Sequence, residues 1–242
     1  MLSCAPKAEA LVDPGLIIDA LKGGTPMVIA ADEKAGVVTQ EVLPQLIGND
    51  NKLAALLGFT DSNDVTPGAH SVTYTSPYPV FVVDLVKPNS LQKLPVSLDL
   101  GIALIARETN WFRPSHPLPV RYLYPIQVDG VVVSSVLLAQ DRDVSTQWNI
   151  HQIGYSKLIK QIYGIHPPGN HFLVLVPALN RYYLGVIEQK IGALVTFTIT
   201  VIFNDPGINM HAGATLPAAE VFQRLKIEAD KIDVNDPNYP PR

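Results

Sequence analysis

Cysteine is nearly missing from this 242-residue chain, which has Cys4 and no other. A single thiol excludes an internal disulfide framework and any thiolate metal cage made within the chain. Charge is also scarce: Asp, Glu, Lys and Arg make up 17% of the residues, against roughly 25% in an average soluble domain, while hydrophobic residues reach 47%. A surface so poor in charge is either polar and uncharged or partly covered by something, and this points to an assembling or partner-bound protein. The formal charge is −4, and the basic residues form no stripe or patch of the kind that phosphate-backbone binding needs, which argues against nucleic acid as a partner. Long apolar runs are lacking too. Ile191–Phe203 is interrupted by Gly and Thr and falls short of the ~20 residues of a membrane helix, so no transmembrane segment is expected.

Motifs for common chemistries are equally scarce. There is no G-x-S-x-G for a serine nucleophile, no G-x-G-x-x-G, and Gly23-Gly24 runs into Thr25-Pro26 rather than into a lysine and a helix. No H-E-x-x-H or other helical histidine pair occurs among the six histidines. No cofactor and no catalytic residue are therefore expected. Asp141 and Asp143, on either side of Arg142, read as a solvated loop tip, because acid–base work on a glycosidic bond needs two carboxylates facing each other across the substrate. Asp230, Asp233, Asn235 and Asp236 lack the glycine and closing glutamate of a calcium loop.

The strongest local instruction is Val120–Gly154. Asp129-Gly130 between two β-branched runs is the signature of a two-residue type I′ hairpin, and a polar connection at Gln140–Thr146 leads to a third strand at Gln147–Ile153. This predicts a three-stranded antiparallel meander at 120–154. Before it, Asp13-Pro14 opens a short helix, Met27–Ala31 reads as a short strand, and Thr39–Ile47 and Asp50–Leu57 read as brief helices, the second stopped by Gly58. Phe59–Ser76 reads as a loop and Tyr78–Val86 as a strand in which Pro79 favours an edge or a start. Leu98–Ala106 fits helix or strand. The proline-punctuated segment 111–119 is a hinge. After the meander, Ser156 is placed to cap a helix bearing Leu158, Ile159 and Ile162 that ends at Gly164. Strands are predicted at Phe172–Val176 and Tyr182–Ile187. Lys190–Phe203 alternates, with Phe197, Ile199, Val201 and Phe203 on one face and Thr196, Thr198 and Thr200 on the other. A last helix from about Leu216, capped by Thr215, carries Ala218, Phe222, Leu225, Ala229 and Ile232 at helical spacing.

The expected fold is therefore α+β: an antiparallel curved sheet with helices packed on one face. Its expected divisions are a flexible N-terminus at 1–12, an α+β half at 13–110, the sheet with its helices at 111–232, packed with the first half as one unit, and a tail at 233–242.

The order Tyr124-Pro125-Ile126, Asp129-Gly130, Ser134-Ser135, Trp148 and Ile153-Gly154, followed by a helix and a long strand, resembles a pattern in uncharacterised exported bacterial proteins with a cystatin-like curved sheet. The resemblance covers residues 121–203. It implies an extracytoplasmic, non-enzymatic module and supplies no active-site residues. Leu2-Ser3-Cys4-Ala5 has the form of a lipoprotein junction, which makes Cys4 a lipidation candidate and the periplasm or cell envelope the expected location; if Met1 is the true start, the location is cytoplasmic.

Aromatic residues carry the binding expectation. Trp111, Arg113 and His116 in the hinge, and Tyr124 and Trp148 in the meander, are the candidate binding residues; Tyr122, Tyr182 and Tyr183 could line the same open sheet face. The leading expectation is a non-catalytic structural or protein-interaction module of the cell envelope that binds a protein partner or copies of itself. Two alternatives stand beside it. One is a metal-assisted hydrolase using His151, His166, His171 and Asp141 or Asp143, with His166 and His171 as its metal pair. The other is a small-ligand-binding cavity protein.

Overall fold

The computed structural model of the chain describes residues 26–82, 121–140, 147–164, 166, 171–176, 179–191 and 194–231. Cys4, the Asp13 helix, Leu98–Ala106, the hinge with Trp111, Arg113 and His116, the Asp141 and Asp143 tip, and the tail from Asp233 lie outside the described residues.

From Pro26 the chain is helical, which corrects the strand expected at Met27–Ala31. A short apolar run is ambiguous by itself, but Val28, Ala31, Ala35 and Val38 are buried at spacings of three and four, and good helix formers continue it through Lys34. Helix α1 (Pro26–Val37) begins with proline at its first position and runs through a π turn at Val38–Val42 into α2 (Leu43–Ile47). In that turn the Thr39 hydroxyl donates to the carbonyls of Ala35 and Gly36 at 3.1 and 3.0 Å. Helix α3 (Asn51–Leu57) starts as expected, with the Asp50 carboxylate accepting from the amides of Lys52 and Leu53 at 2.9 and 3.0 Å, and it ends at Gly58 with φ +100°.

Among the described residues nine strands form one sheet in the order β5-β4-β3-β2-β6-β7-β8-β9, with β1 (Val72–Tyr74) also paired to β3. The meander is β3 (Arg121–Val128), β4 (Val131–Gln140) and β5 (Trp148–Ile153), all antiparallel. Its hairpin has φ +49° at Asp129 and +81° at Gly130, so both central residues adopt the positive φ of a type I′ turn. Strand β2 (Tyr78–Val82) is central rather than an edge: Tyr78 and Pro79 pair with β3, and Val80–Val82 pair with β6 (His171–Val176). Proline is accommodated at the start of that strand, as expected. Pro125 solves the same problem differently. Its carbonyl accepts from the Thr75 amide at 3.1 Å, so its nitrogen faces the same side, where β1 has ended and β2 has not begun; the missing N–H costs only the reciprocal bond at this gap between the two strands.

The β2–β6 pairing is parallel, so the sheet is mixed and mostly antiparallel. The other strands are β7 (Arg181–Ile191), β8 (Leu194–Val201) and β9 (Thr215–Pro217), followed by helix α5 (Ala218–Ala229), while α4 (Ser156–Tyr163) precedes β6. Tyr155, not Ser156, occupies the N-cap of α4, and Thr215 pairs with Thr200 in β9 instead of capping α5. Ile199 and Val201 are buried as the alternation predicts. Thr200 is buried as well, its hydroxyl 2.7 Å from that of Thr215, and Phe203 lies beyond the strand and is 38% exposed. The side chains of Thr196 and Phe197 lie outside the described ones.

The α+β architecture stands, but the helices cover both faces. Tyr78, Val80, Leu123, Leu137, Leu173 and Leu184 pack on one side with Leu158, Ile159 and Ile162 of α4. On the other side, Tyr122, Tyr124, Ile126, Val136 and Leu138 meet α1–α3, and Phe81, Phe172, Val174, Tyr183, Ile199 and Val201 meet α5. Runs such as Val136-Leu137-Leu138 and Phe172–Val176 are apolar on consecutive positions, and such strands need cover on both sides.

Candidate functional site

The meander aromatics come together, but under helices. Tyr124 is fully buried, and its hydroxyl donates to Asp32 of α1 at 2.7 Å; burial, then that bond, pushes its pKa far up. Trp148 lies 5.4 Å from Tyr122, ring centre to ring centre, and both belong to the cluster below α1–α3. There the helices close the sheet face, so these rings pack and present no open surface.

His166 and His171 also meet, with ring centroids 5.3 Å apart. Among the described residues no group of three or more His, Cys, Asp or Glu is placed to hold a metal ion. His151 lies on β5 and is exposed, as the alternation predicts; partial desolvation and then the Arg121 cation lower its pKa.

A cleft of about 410 Å³ opens elsewhere, where three segments converge. The turn from β5 into α4 supplies Gly154–Leu158, the start of β7 supplies Asn180–Tyr183, and the turn after β8 supplies Phe203–Asp205. The α4 side is fixed from behind by the end of α3. Gly58 approaches so closely that a β-carbon there would lie 2.3 Å from Ser156 Cβ and 2.7 Å from the Val133 carbonyl oxygen. The Ser134 hydroxyl donates to the Leu57 carbonyl, and Lys160 Nζ donates to the Gly58 carbonyl at 3.3 Å.

Two polar pairs shape the cleft. Tyr182 donates to the Tyr155 hydroxyl at 2.9 Å with their rings edge to face, and burial pushes the Tyr182 pKa upward. Asp205, only 4% exposed, accepts from the Tyr183 hydroxyl at 2.5 Å through one oxygen. Its other oxygen is 2.8 Å from Arg181 Nη1, in ion-pair contact but without hydrogen-bond alignment. Lys157 Nζ stands 5.5 Å above the centre of the Phe203 ring. A neutralised acid–base pair, aromatic walls and an extra cation suit binding.

Of these residues, sequence reasoning singled out Tyr182 and Tyr183 as ligand-lining and missed Tyr155, Lys157, Arg181 and Asp205. A local signal was available at one of them: the first turn of α4 carries a lysine and no acid. No family model matches the chain, and no curated protein or solved structure does either, so the cleft is read from its own geometry.

Proposed function

We propose that the protein is a non-catalytic interaction or assembly protein of the bacterial cell envelope, binding a protein partner or copies of itself. The observation that carries this reading is the placement of apolar side chains at the surface. Of the seven large hydrophobic residues exposed among the described ones, Ile29, Val37, Leu46 and Leu56 fall on the N-terminal helices, and Leu56 is 77% exposed. In a chain with 17% charged residues, such positions favour coverage by another surface. Leu46→Lys with Leu56→Lys leaves the core untouched. Wild-type protein is expected to give native mass peaks at multiples of the chain, or a stoichiometric partner from its own source, and the double variant is expected to lose them. A wild-type monomer with no partner at any concentration rejects the reading.

The envelope location belongs to the same proposal and rests on Cys4 as the anchor. Denaturing mass spectrometry of protein from its own source should show acyl chains on that residue; an unmodified Cys4 removes the anchor.

A second reading, small-ligand binding, is favoured by the cleft between α4, β7 and the turn after β8. Its volume of about 410 Å³ lies in the range of ligand pockets.

A further inference from the structure

We propose that this cleft takes a small organic monoanion, with a carboxylate held at Lys157 and an apolar or planar body lying between Phe203 and the Tyr155–Tyr182 pair. The inference rests on the ligand-binding reading and gives it a chemical class.

Charge selects the sign. Among the lining residues, Arg181 and Asp205 face each other at 2.8 Å and largely cancel, which leaves the Lys157 charge uncompensated at the mouth of the cleft. One spare positive charge matches one negative charge. The position of Lys157 sharpens the case. It stands in the first turn of α4, where the helix dipole disfavours a cation, with no acidic residue in that turn and no side-chain cap from Tyr155. Among the described residues the Phe203 ring face is the one partner shown for that cation, and a local arrangement that costs stability with so little compensation is the kind that binding sites retain. A carboxylate beside Lys157 offsets both deficits.

The walls select the body. Phe203 keeps an aromatic ring 38% exposed at the rim instead of in either core, and its face already meets the Lys157 ammonium. Tyr155 and Tyr182 line the cleft as well, edge to face, with the Tyr182 hydroxyl spent on Tyr155, so the two rings are the main surface they offer. A planar apolar group between those rings buries aromatic area, and its carboxylate reaches the lysine.

The test uses the full chain and two probes of similar shape, benzoate and neutral benzyl alcohol, followed by amide chemical shifts. Benzoate is expected to bind saturably, with shifts concentrated on Ser156–Leu158 and Asn180–Tyr183, and about tenfold more tightly than benzyl alcohol. Lys157→Gln should remove that preference, and Phe203→Ala should weaken both probes. Both side chains are exposed enough for the variants to keep the fold, which the remaining amide shifts verify. Equal binding of the two probes, or an unchanged preference in Lys157→Gln, overturns the monoanion while the ligand-binding reading stands. If neither probe shifts these amides, both fall.

Discussion

Gly185 stands opposite Phe172 in the β6–β7 ladder, and the phenyl ring occupies the space a side chain would need: a β-carbon there would lie 2.3 Å from two ring atoms. Gly185→Ala is therefore expected to lower unfolding free energy by about 1–3 kcal/mol in chemical denaturation. Gly164, with helical backbone and nothing within 4 Å of the equivalent position, is the control: alanine there should be neutral or stabilising by up to about 1 kcal/mol. Similar losses at both sites would contradict the packing described. A second residue-scale feature is the clasp over the hairpin. The Asp129 carboxylate accepts from the Ser71 amide at 2.9 Å and meets His70 Nδ1 at 2.6 Å. That contact raises the His70 pKa above 6.5, and it lowers that of Asp129 below 3.8, with the Ser71 amide adding to the effect. The stabilisation from His70 is complete below pH 6.5 and is lost as pH rises through the folded-state value. The stabilisation from Asp129 is complete above pH 3.8 and is lost as pH falls through its folded-state value. An NMR titration should place the His70 midpoint above 6.5 and return it toward that value in Asp129→Asn; a midpoint indifferent to the substitution would remove the clasp.

At the scale of elements, what was legible in the sequence was what is locally determined. Asp129-Gly130 dictates its own turn, and Ala218, Phe222, Leu225 and Ala229 mark the buried stripe of α5 without any knowledge of what it covers. That stripe gives a direct check. Phe222, fully buried against the sheet, should cost about 3–5 kcal/mol when changed to alanine, and Ile227 on the exposed side should cost less than about 0.5 kcal/mol. Comparable costs would mean that α5 does not dock as described. What was not legible depends on pairing at a distance. Thr215 looks like a helix cap until Thr200 claims it for β9, and Met27–Ala31 looks extended until its buried spacing continues through Val38. The cleft was hidden for the same reason: its walls come from three segments, and only Tyr182 and Tyr183 carried a prior hint.

At the scale of the molecule, two antiparallel groups of strands meet along a parallel seam of three residue pairs, Val80↔Leu173, Phe81↔Val174 and Val82↔Leu175. Strands β3–β5 and β6–β8 are joined by connections within each group, whereas the seam unites residues distant in the chain and must close a large loop to form. The order of events in folding follows. Each antiparallel group can form early, and the seam closes late, after the transition state. Stopped-flow measurements should then find that Val80→Ala mainly speeds unfolding and leaves the folding rate nearly unchanged, while Leu138→Ala within the meander slows folding. If Val80→Ala slows folding instead, the seam belongs to the nucleus, and the two groups of strands form as one.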